Sequence, residues 1–173
     1  GPDCCPDRQA CQAQEGGQGA QEGLSVTLQP EVAFHFNAPD KLAYACRLLR
    51  KAVVSGSRVA VTGEPDLLRK LDAQLWTFAP LEFVPHCMDD AEAGVKALSP
   101  VVLTHDASGS PHHEVLVNLG LPVPASFERF ERLIEVVTLD DEDRRGARQR
   151  WKHYADRGYS IVRHDLKLKE QAA

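Results

Sequence analysis

The sequence has no apolar run of about 18 residues, the length that a membrane-spanning helix needs. No basic and then apolar segment of the signal-peptide kind opens it, so the expected compartment is the cytoplasm and no membrane partner is expected. Cysteine pairs of the CxxC kind are also missing, which removes the common zinc sites. The 5 cysteines are therefore expected to be reduced thiols.

Phosphate-binding glycine motifs are absent as well. Neither GxxxxGK[ST] nor a GxGxxG after the first predicted strand occurs. The turn 62–65 holds one glycine followed by an acidic residue, which repels phosphate. A nucleotide-binding enzyme is not favoured, and no cofactor is expected.

The 173 residues, 43% of them hydrophobic, suffice for one well-buried core. A net charge of −5 argues against wrapping of nucleic acid along the whole chain. Residues 1–30 are rich in Gly and Gln, with almost no aliphatic residue before Leu24. Such a segment predicts a flexible leader, or a remnant of an expression tag because the chain opens with Gly-Pro. The predicted domain is 31–173.

Apolar residues in this domain alternate at strand spacing and then recur at helical spacing. The predicted strands are 32–37, 58–62, 101–104, 115–118, 134–138 and 159–166. The predicted helices begin near Pro39, at Pro65, after a Ser126 cap, and after an Asp140 cap with Asp143 completing a capping box. This alternation predicts an α/β fold: a three-layer, mostly parallel sheet similar to nucleotide-binding folds but without a phosphate-binding loop.

Two side chains at the end of a predicted strand, His105 and Asp106, keep an enzyme interpretation open. A metal-dependent hydrolase uses histidine and aspartate at strand ends. The following residues, 106–113, are rich in turn formers and are equally typical of a polar loop. No catalytic residue and no metal ligand set stands out.

Positive charge is concentrated near the C-terminus. Between Arg144 and Lys169 nine lysines and arginines face two acids, a net charge of +7 that leaves −12 for the rest. Helical spacing places Arg148, Trp151 and Lys152 on one face. An arginine beside a large aromatic side chain suits an acidic peptide with an apolar anchor. Two alternatives stay open: Trp151 and Tyr154 could face the core, or the basic helix could contact DNA phosphates.

Two motifs bear on this choice. The first is Leu71-Asp72-x-x-Leu75-Trp76, six further residues, and then Phe83-Val84-Pro85-His86. The second is Ala147-Arg148-x-Arg150-Trp151-Lys152-x-Tyr154-x-x-x-Gly158-Tyr159. In this order they resemble the chi subunit of bacterial DNA polymerase III, a family that usually has tyrosine where Trp151 stands. The resemblance covers roughly 31–166.

The resemblance implies a replication subunit without intrinsic catalytic activity, an accessory part of a DNA-directed DNA polymerase. One surface would bind the psi subunit, which links to the clamp loader. Another would bind the acidic, phenylalanine-ending tail of single-stranded-DNA-binding protein, so that contact with DNA is mainly indirect. Carried onto this sequence, the tail site comprises Arg148, Trp151 and Lys152, with Trp76 and Phe83 as walls and Arg145 or Arg157 nearby. Phe83 and Trp76 could instead belong to the core.

Overall fold

The computed structural model describes residues 29–167, so the predicted leader lies outside the described residues apart from its last two. In this range strands and helices alternate. The strands are β1 Glu31–Ala38, β2 Val59–Thr62, β3 His86–Met88, β4 Val101–Thr104, β5 Val115–Asn118, β6 Arg132–Thr138 and β7 Ile161–Asp165. The helices are α1 Lys41–Val54, α2 Pro65–Thr77, α3 Ala93–Leu98 and α4 Asp141–Asp156, with short 3-10 turns at Ala107–Gly109 and Phe127–Arg129.

The seven strands found between residues 29 and 167 form one sheet in the order β3-β4-β2-β5-β6-β1-β7. Every pairing is parallel. The interior strands β2 and β4 are buried along their whole length and are apolar up to a final threonine, as expected for parallel strands covered on both faces. The predicted α/β class with a mostly parallel sheet is confirmed.

Helices cover the two faces of the sheet separately. On one face α1 and α2 bury Leu49, Leu71 and their neighbours against the sheet. On the other, α4 and the turn at Phe127–Arg129 bury Tyr154 and Phe127. The result is a three-layer arrangement in which α2 and α4 lie on opposite sides of the sheet. No helix within residues 29–167 is long and apolar enough to cross a membrane.

Helices α1 and α4 both begin after an aspartate. Asp40 accepts hydrogen bonds from the N–H groups of Leu42 and Ala43, so α1 begins later than the predicted start at Pro39. Asp140 caps α4 in the same way, as predicted. The predicted capping box is wrong, because the carboxylate of Asp143 turns to Thr138 and accepts from its N–H (2.8 Å) and Oγ1 (2.9 Å).

Three local features differ from the sequence prediction. Strand β3 and helix α3 were not predicted, since they have only 3 and 6 residues. Ser126 does not cap a helix: its φ is 61°, its side chain makes no cap hydrogen bond, and only a 3-10 turn follows. Burial of Phe127 and Phe130 holds this segment on the sheet instead.

Candidate peptide-binding groove

Helix α4 has a buried and an exposed side. Ala147 and Tyr154 pack onto the sheet, with 7% and 0% of their surface exposed. Arg148 and Lys152 are exposed, and Trp151 is half-buried between the two sides. The alternative in which Trp151 and Tyr154 both face the core is therefore correct for Tyr154 and only partly so for Trp151.

A groove of about 480 Å³ opens between α4 and strands β1, β6 and β7. Its apolar wall is made by aromatic side chains of β1 and α4 together with small neighbours on β6 and α4. Three arginines and two polar residues complete it. The lining comprises Phe34, Phe36, Asn37, Val137, Thr138, Arg144, Ala147, Arg148, Trp151 and Arg163.

Buried aromatic side chains pack against the Trp151 ring in the wall of the groove. The rings of Phe34 and Trp151 have centroids 4.9 Å apart. Phe34 also meets Tyr154 edge-on at 6.1 Å, a geometry that aromatic pairs favour. Because Phe34 and Tyr154 are buried, they fix the position of the more exposed Trp151 ring.

The three arginines are held differently. Arg144 donates to Oδ1 of Asn37 (3.0 Å), and Asn37 donates to Asp165 (2.9 Å), which joins α4, β1 and β7. Asn37 has a φ of 64°, a left-handed conformation that asparagine tolerates. The guanidinium carbon of Arg163 lies 5.3 Å from the ring centroid of Phe36 and 5.6 Å from that of Trp151. Arg148 makes no ion pair with any residue between 29 and 167.

Of the predicted site residues, Arg148 and Trp151 line the groove. Lys152, Arg145 and Arg157 are exposed on α4 or at its end, outside the lining. The structure therefore does not include these three side chains in the groove.

Trp76 and Phe83 do not wall this groove, which corrects the prediction. They lie at the end of α2 and in the loop before β3, on the face of the sheet opposite α4. Their ring centroids are 4.9 Å apart, and both stack near His86, whose Nε2 lies 3.0 Å from Oδ1 of Asp72. The alternative core position is wrong as well, because Trp76 is 62% and Phe83 is 53% exposed.

Sequence reasoning did not assign eight of the ten lining residues, and four of these eight are aromatic or charged: Phe34, Phe36, Arg144 and Arg163. A signal existed for three of them. The alternation of β1 places Phe34 and Phe36 on one face of the sheet, and Arg144 precedes Arg148 by one helical turn. No local pattern indicates Arg163, because it reaches the groove only through the pairing of β7 with β1.

Arg150 is not part of the basic surface. It is 2% exposed and pairs with fully buried Glu135, its Nε lying 2.9 Å from a carboxylate oxygen. Tyr154 and Asn118 donate to the same carboxylate at 2.6 and 3.0 Å. Burial raises the pKa of Glu135, whereas the Arg150 guanidinium and these hydrogen bonds pull its pKa back down. The cluster joins α4 to β5 and β6.

The residues of the enzyme interpretation belong to a turn. Asp106 accepts from the N–H of Ser108 (2.9 Å), and Nδ1 of His105 lies 3.4 Å from the carbonyl of Gly63. Across residues 29–167, no group of three or more His, Cys, Asp or Glu side chains could hold a metal ion. The geometry of these two side chains offers no support for a metal-dependent hydrolase.

The family model described as DNA polymerase III chi subunit, HolC, matches residues 30–162. The chain belongs to this family. DNA polymerase III subunit chi of Pseudomonas aeruginosa is 33% identical over 129 residues, which cover 73% of this chain and 87% of that protein. The Haemophilus influenzae subunit chi is 27% identical over 121 residues, 68% of this chain and 81% of that protein. The chain is thus an accessory subunit of the DNA polymerase III assembly and acts in DNA replication.

Solved structures show a likeness of fold alone. Saccharomyces cerevisiae Dbp5 bound to RNA and ADP BeF3 has a TM-score of 0.57 and 16% sequence identity. The match covers 85% of this chain and 44% of the Dbp5 chain. The C-terminal domain of Dbp5 bound to Gle1 and IP6 has a TM-score of 0.50 at 14% identity, covering 79% of this chain and 90% of that one. The likeness agrees with the predicted similarity to nucleotide-binding folds.

Proposed function

We propose that this chi-family chain is a non-catalytic adaptor that binds the acidic C-terminal tail of single-stranded-DNA-binding protein and links it, through the psi subunit, to the clamp loader. The observation that carries the proposal is the groove beside α4, where aromatic walls meet three arginines. An apolar hollow with a cationic rim suits a peptide that ends in an aromatic residue and a carboxylate.

Each part of such a tail has a counterpart around the groove. The terminal phenylalanine ring would pack against Phe34 and Trp151, which form the apolar wall. The unpaired guanidinium of Arg148 would hold the terminal carboxylate. Lys152 and Arg145, which neighbour Arg148 on the helix surface by i+4 and i−3 spacing, would attract the aspartates that precede the phenylalanine, and exposed Arg157 after the end of α4 would add positive charge.

The main competitor is direct binding of nucleic acid by the basic helix. Binding to phosphates weakens steeply with salt and needs no apolar pocket. The groove instead exposes the aromatic surface of Trp151 and Phe36 next to its cations. Single-stranded DNA would therefore be a weaker ligand than the peptide at physiological salt.

The test is fluorescence anisotropy of a labelled acidic peptide that ends in phenylalanine. We expect micromolar affinity, about −8 kcal/mol, and a loss of about 1.5–3 kcal/mol in Arg148→Ala because a charge-assisted bond disappears. Arg69→Ala removes an exposed arginine from α2 on the other face and serves as the matched control. An unchanged affinity in Arg148→Ala would reject the site.

The link to psi requires a second surface that leaves the groove free, and we assign it to the aromatic patch formed by Trp76, Leu81 and Phe83. Leu81 is 96% exposed and precedes Phe83 by two residues in the same loop. Exposed apolar patches of this kind mark protein interfaces. The patch lies near the β3 edge of the sheet, whereas the groove lies near the β7 edge, so both partners fit at once.

The assignment predicts a separation of effects. Phe83→Ala and Trp76→Ala should each weaken binding of purified psi by about 2 kcal/mol or more, the loss typical of a central interface residue. Neither should change the affinity for the acidic peptide, and Arg148→Ala should leave psi binding intact. Calorimetric titration measures both. Equal psi affinity in Phe83→Ala, Trp76→Ala and wild type would remove the patch from the interface.

A further inference from the structure

Arg163 on edge strand β7 lines the groove and, like Arg148, forms no ion pair with any residue between 29 and 167. Its guanidinium lies over the rings of Phe36 and Trp151. Among residues 29–167 no hydrogen-bond acceptor or carboxylate partner engages it. By contrast, Arg144 is held by Asn37 and Arg150 by Glu135.

Stacking on two aromatic rings has a specific chemical consequence. The guanidinium is held over the rings by cation–π attraction, which uses none of its N–H donors as hydrogen bonds, so these donors stay available to an anion. A guanidinium fixed in this way loses less conformational freedom when it binds a carboxylate. Tryptophan gives the strongest cation–π contact of the aromatic residues. Trp151 therefore holds the Arg163 guanidinium more strongly than the tyrosine that is usual in the family would.

We propose that Arg163 is a specificity-determining residue that reads the terminal carboxylate of the bound peptide together with Arg148. The two arginines line the same groove from β7 and from α4. One carboxylate has two oxygens and accepts from two guanidinium groups at once. The inference rests on the proposed tail binding and adds to it a selection for a free C-terminus over an internal acidic segment.

The experiment compares two versions of the acidic, phenylalanine-ending peptide, one with a free terminal carboxylate and one with a terminal amide. Arg163→Gln should weaken the free-acid peptide about tenfold and change the amide less than about twofold, since the amide offers no terminal charge to lose. Arg163→Lys should not restore affinity, because an ammonium has neither the planar fork nor the stack. Arg69→Gln, the same charge change on α2, should affect neither peptide.

A double-mutant cycle tests whether the contact with Trp151 orients Arg163 for binding of the carboxylate. Trp151→Leu removes the indole next to the guanidinium, and the double mutant should lose less free-acid affinity than the sum of the two single losses, because part of the Trp151→Leu loss acts through Arg163. Thermal unfolding followed by circular dichroism identifies variants that fail to fold. Arg163→Gln changes an exposed side chain, so it should keep the wild-type unfolding curve.

The outcomes separate this inference from the tail-binding proposal. If Arg163→Gln weakens the acid and the amide equally, Arg163 supplies only general positive charge and the inference is overturned while tail binding stands. Additive losses in the Trp151→Leu cycle would likewise overturn the stacked arrangement. If wild type binds neither peptide, tail binding itself fails.

Discussion

Two arginines that are two residues apart on α4 have opposite roles. Successive residues are rotated by about 100° around a helix, so positions 148 and 150 face opposite sides. Arg148 points into solvent at the groove, whereas Arg150 is buried with Glu135 and donates through Nη1 to the carbonyl of Leu121 (2.7 Å). One side chain is available to a ligand, and the other holds the fold together.

The same substitution should therefore have different effects at the two positions. Arg150→Met leaves the Glu135 carboxylate buried without its counter-charge and should lower the free energy of unfolding by about 3–5 kcal/mol. Arg148→Met should change it by less than about 0.5 kcal/mol. Urea unfolding at pH 7 measures both. Equal stability of the two variants would show that the buried pair contributes nothing.

Residue patterns could predict Arg148 and Trp151 but not the burial of Arg150. Helical spacing correctly placed the first two on a shared side of α4. Arg150 counted as one more surface cation because its partner, Glu135, sits in the middle of an apolar strand 15 residues earlier. An ion pair between distant elements leaves no local signal in the sequence.

At the scale of elements, α4 approaches the loop after β5 closely at a glycine. A Cβ atom on Gly146 would lie 3.2 Å from Nη1 of Arg150 and 3.4 Å from Cδ2 of Leu121. Nη1 cannot withdraw without losing its hydrogen bond to the Leu121 carbonyl. Glycine is tolerated here because the packing of Arg150 requires the space.

Gly146→Ala should thus fail to gain stability, although alanine normally favours a helix by about 1 kcal/mol over glycine. We expect a loss of about 1 kcal/mol from the crowded Arg150. Gly94→Ala in α3 is the matched control, since no atom lies within 4 Å of its added Cβ, and should gain about 0.5 kcal/mol. Thermal unfolding compares the two, and a stabilised Gly146→Ala would contradict the packing argument.

Long elements were predictable and short ones were not. Helices α1, α2 and α4 have 13 to 16 residues, enough for apolar stripes and aspartate or proline start signals to stand out. Strand β3 and helix α3 fall below the length at which either period can be recognised. Strand β3 depends on its pairing with β4, and α3 packs against β3.

At the scale of the whole molecule, one ion pair joins the layers on the two faces of the sheet. Nζ of Lys41 at the start of α1 lies 3.1 Å from Oδ1 of Asp143 on α4 and 3.1 Å from the carbonyl oxygen of Leu119 after β5. Burial opposes ionisation of Asp143, but hydrogen bonds from Thr138 and the charge of Lys41 outweigh it, so the pKa of Asp143 is lowered.

This lowered pKa predicts a pH dependence of stability. The contribution of Asp143 is present above the unfolded pKa of about 3.9 and is lost as the pH falls through the lower folded pKa. Asp143→Asn should cost about 1–3 kcal/mol at pH 7, and its difference from wild type should shrink below about pH 4. Urea unfolding across this range is the measurement, with exposed Asp141→Asn as control. A difference that persists unchanged in acid would rule out the linkage.

The sequence by itself determined the alternation of strands and helices, the parallel sheet, the cap at Asp140, and the family. These depend on the spacing of neighbouring residues and on short motifs. Only the tertiary structure decided that Trp76 and Phe83 lie on the opposite face from Arg148, and that Arg163 joins the groove. Strand order and the side on which each connection crosses place residues far apart in the chain side by side, and local spacing does not encode them.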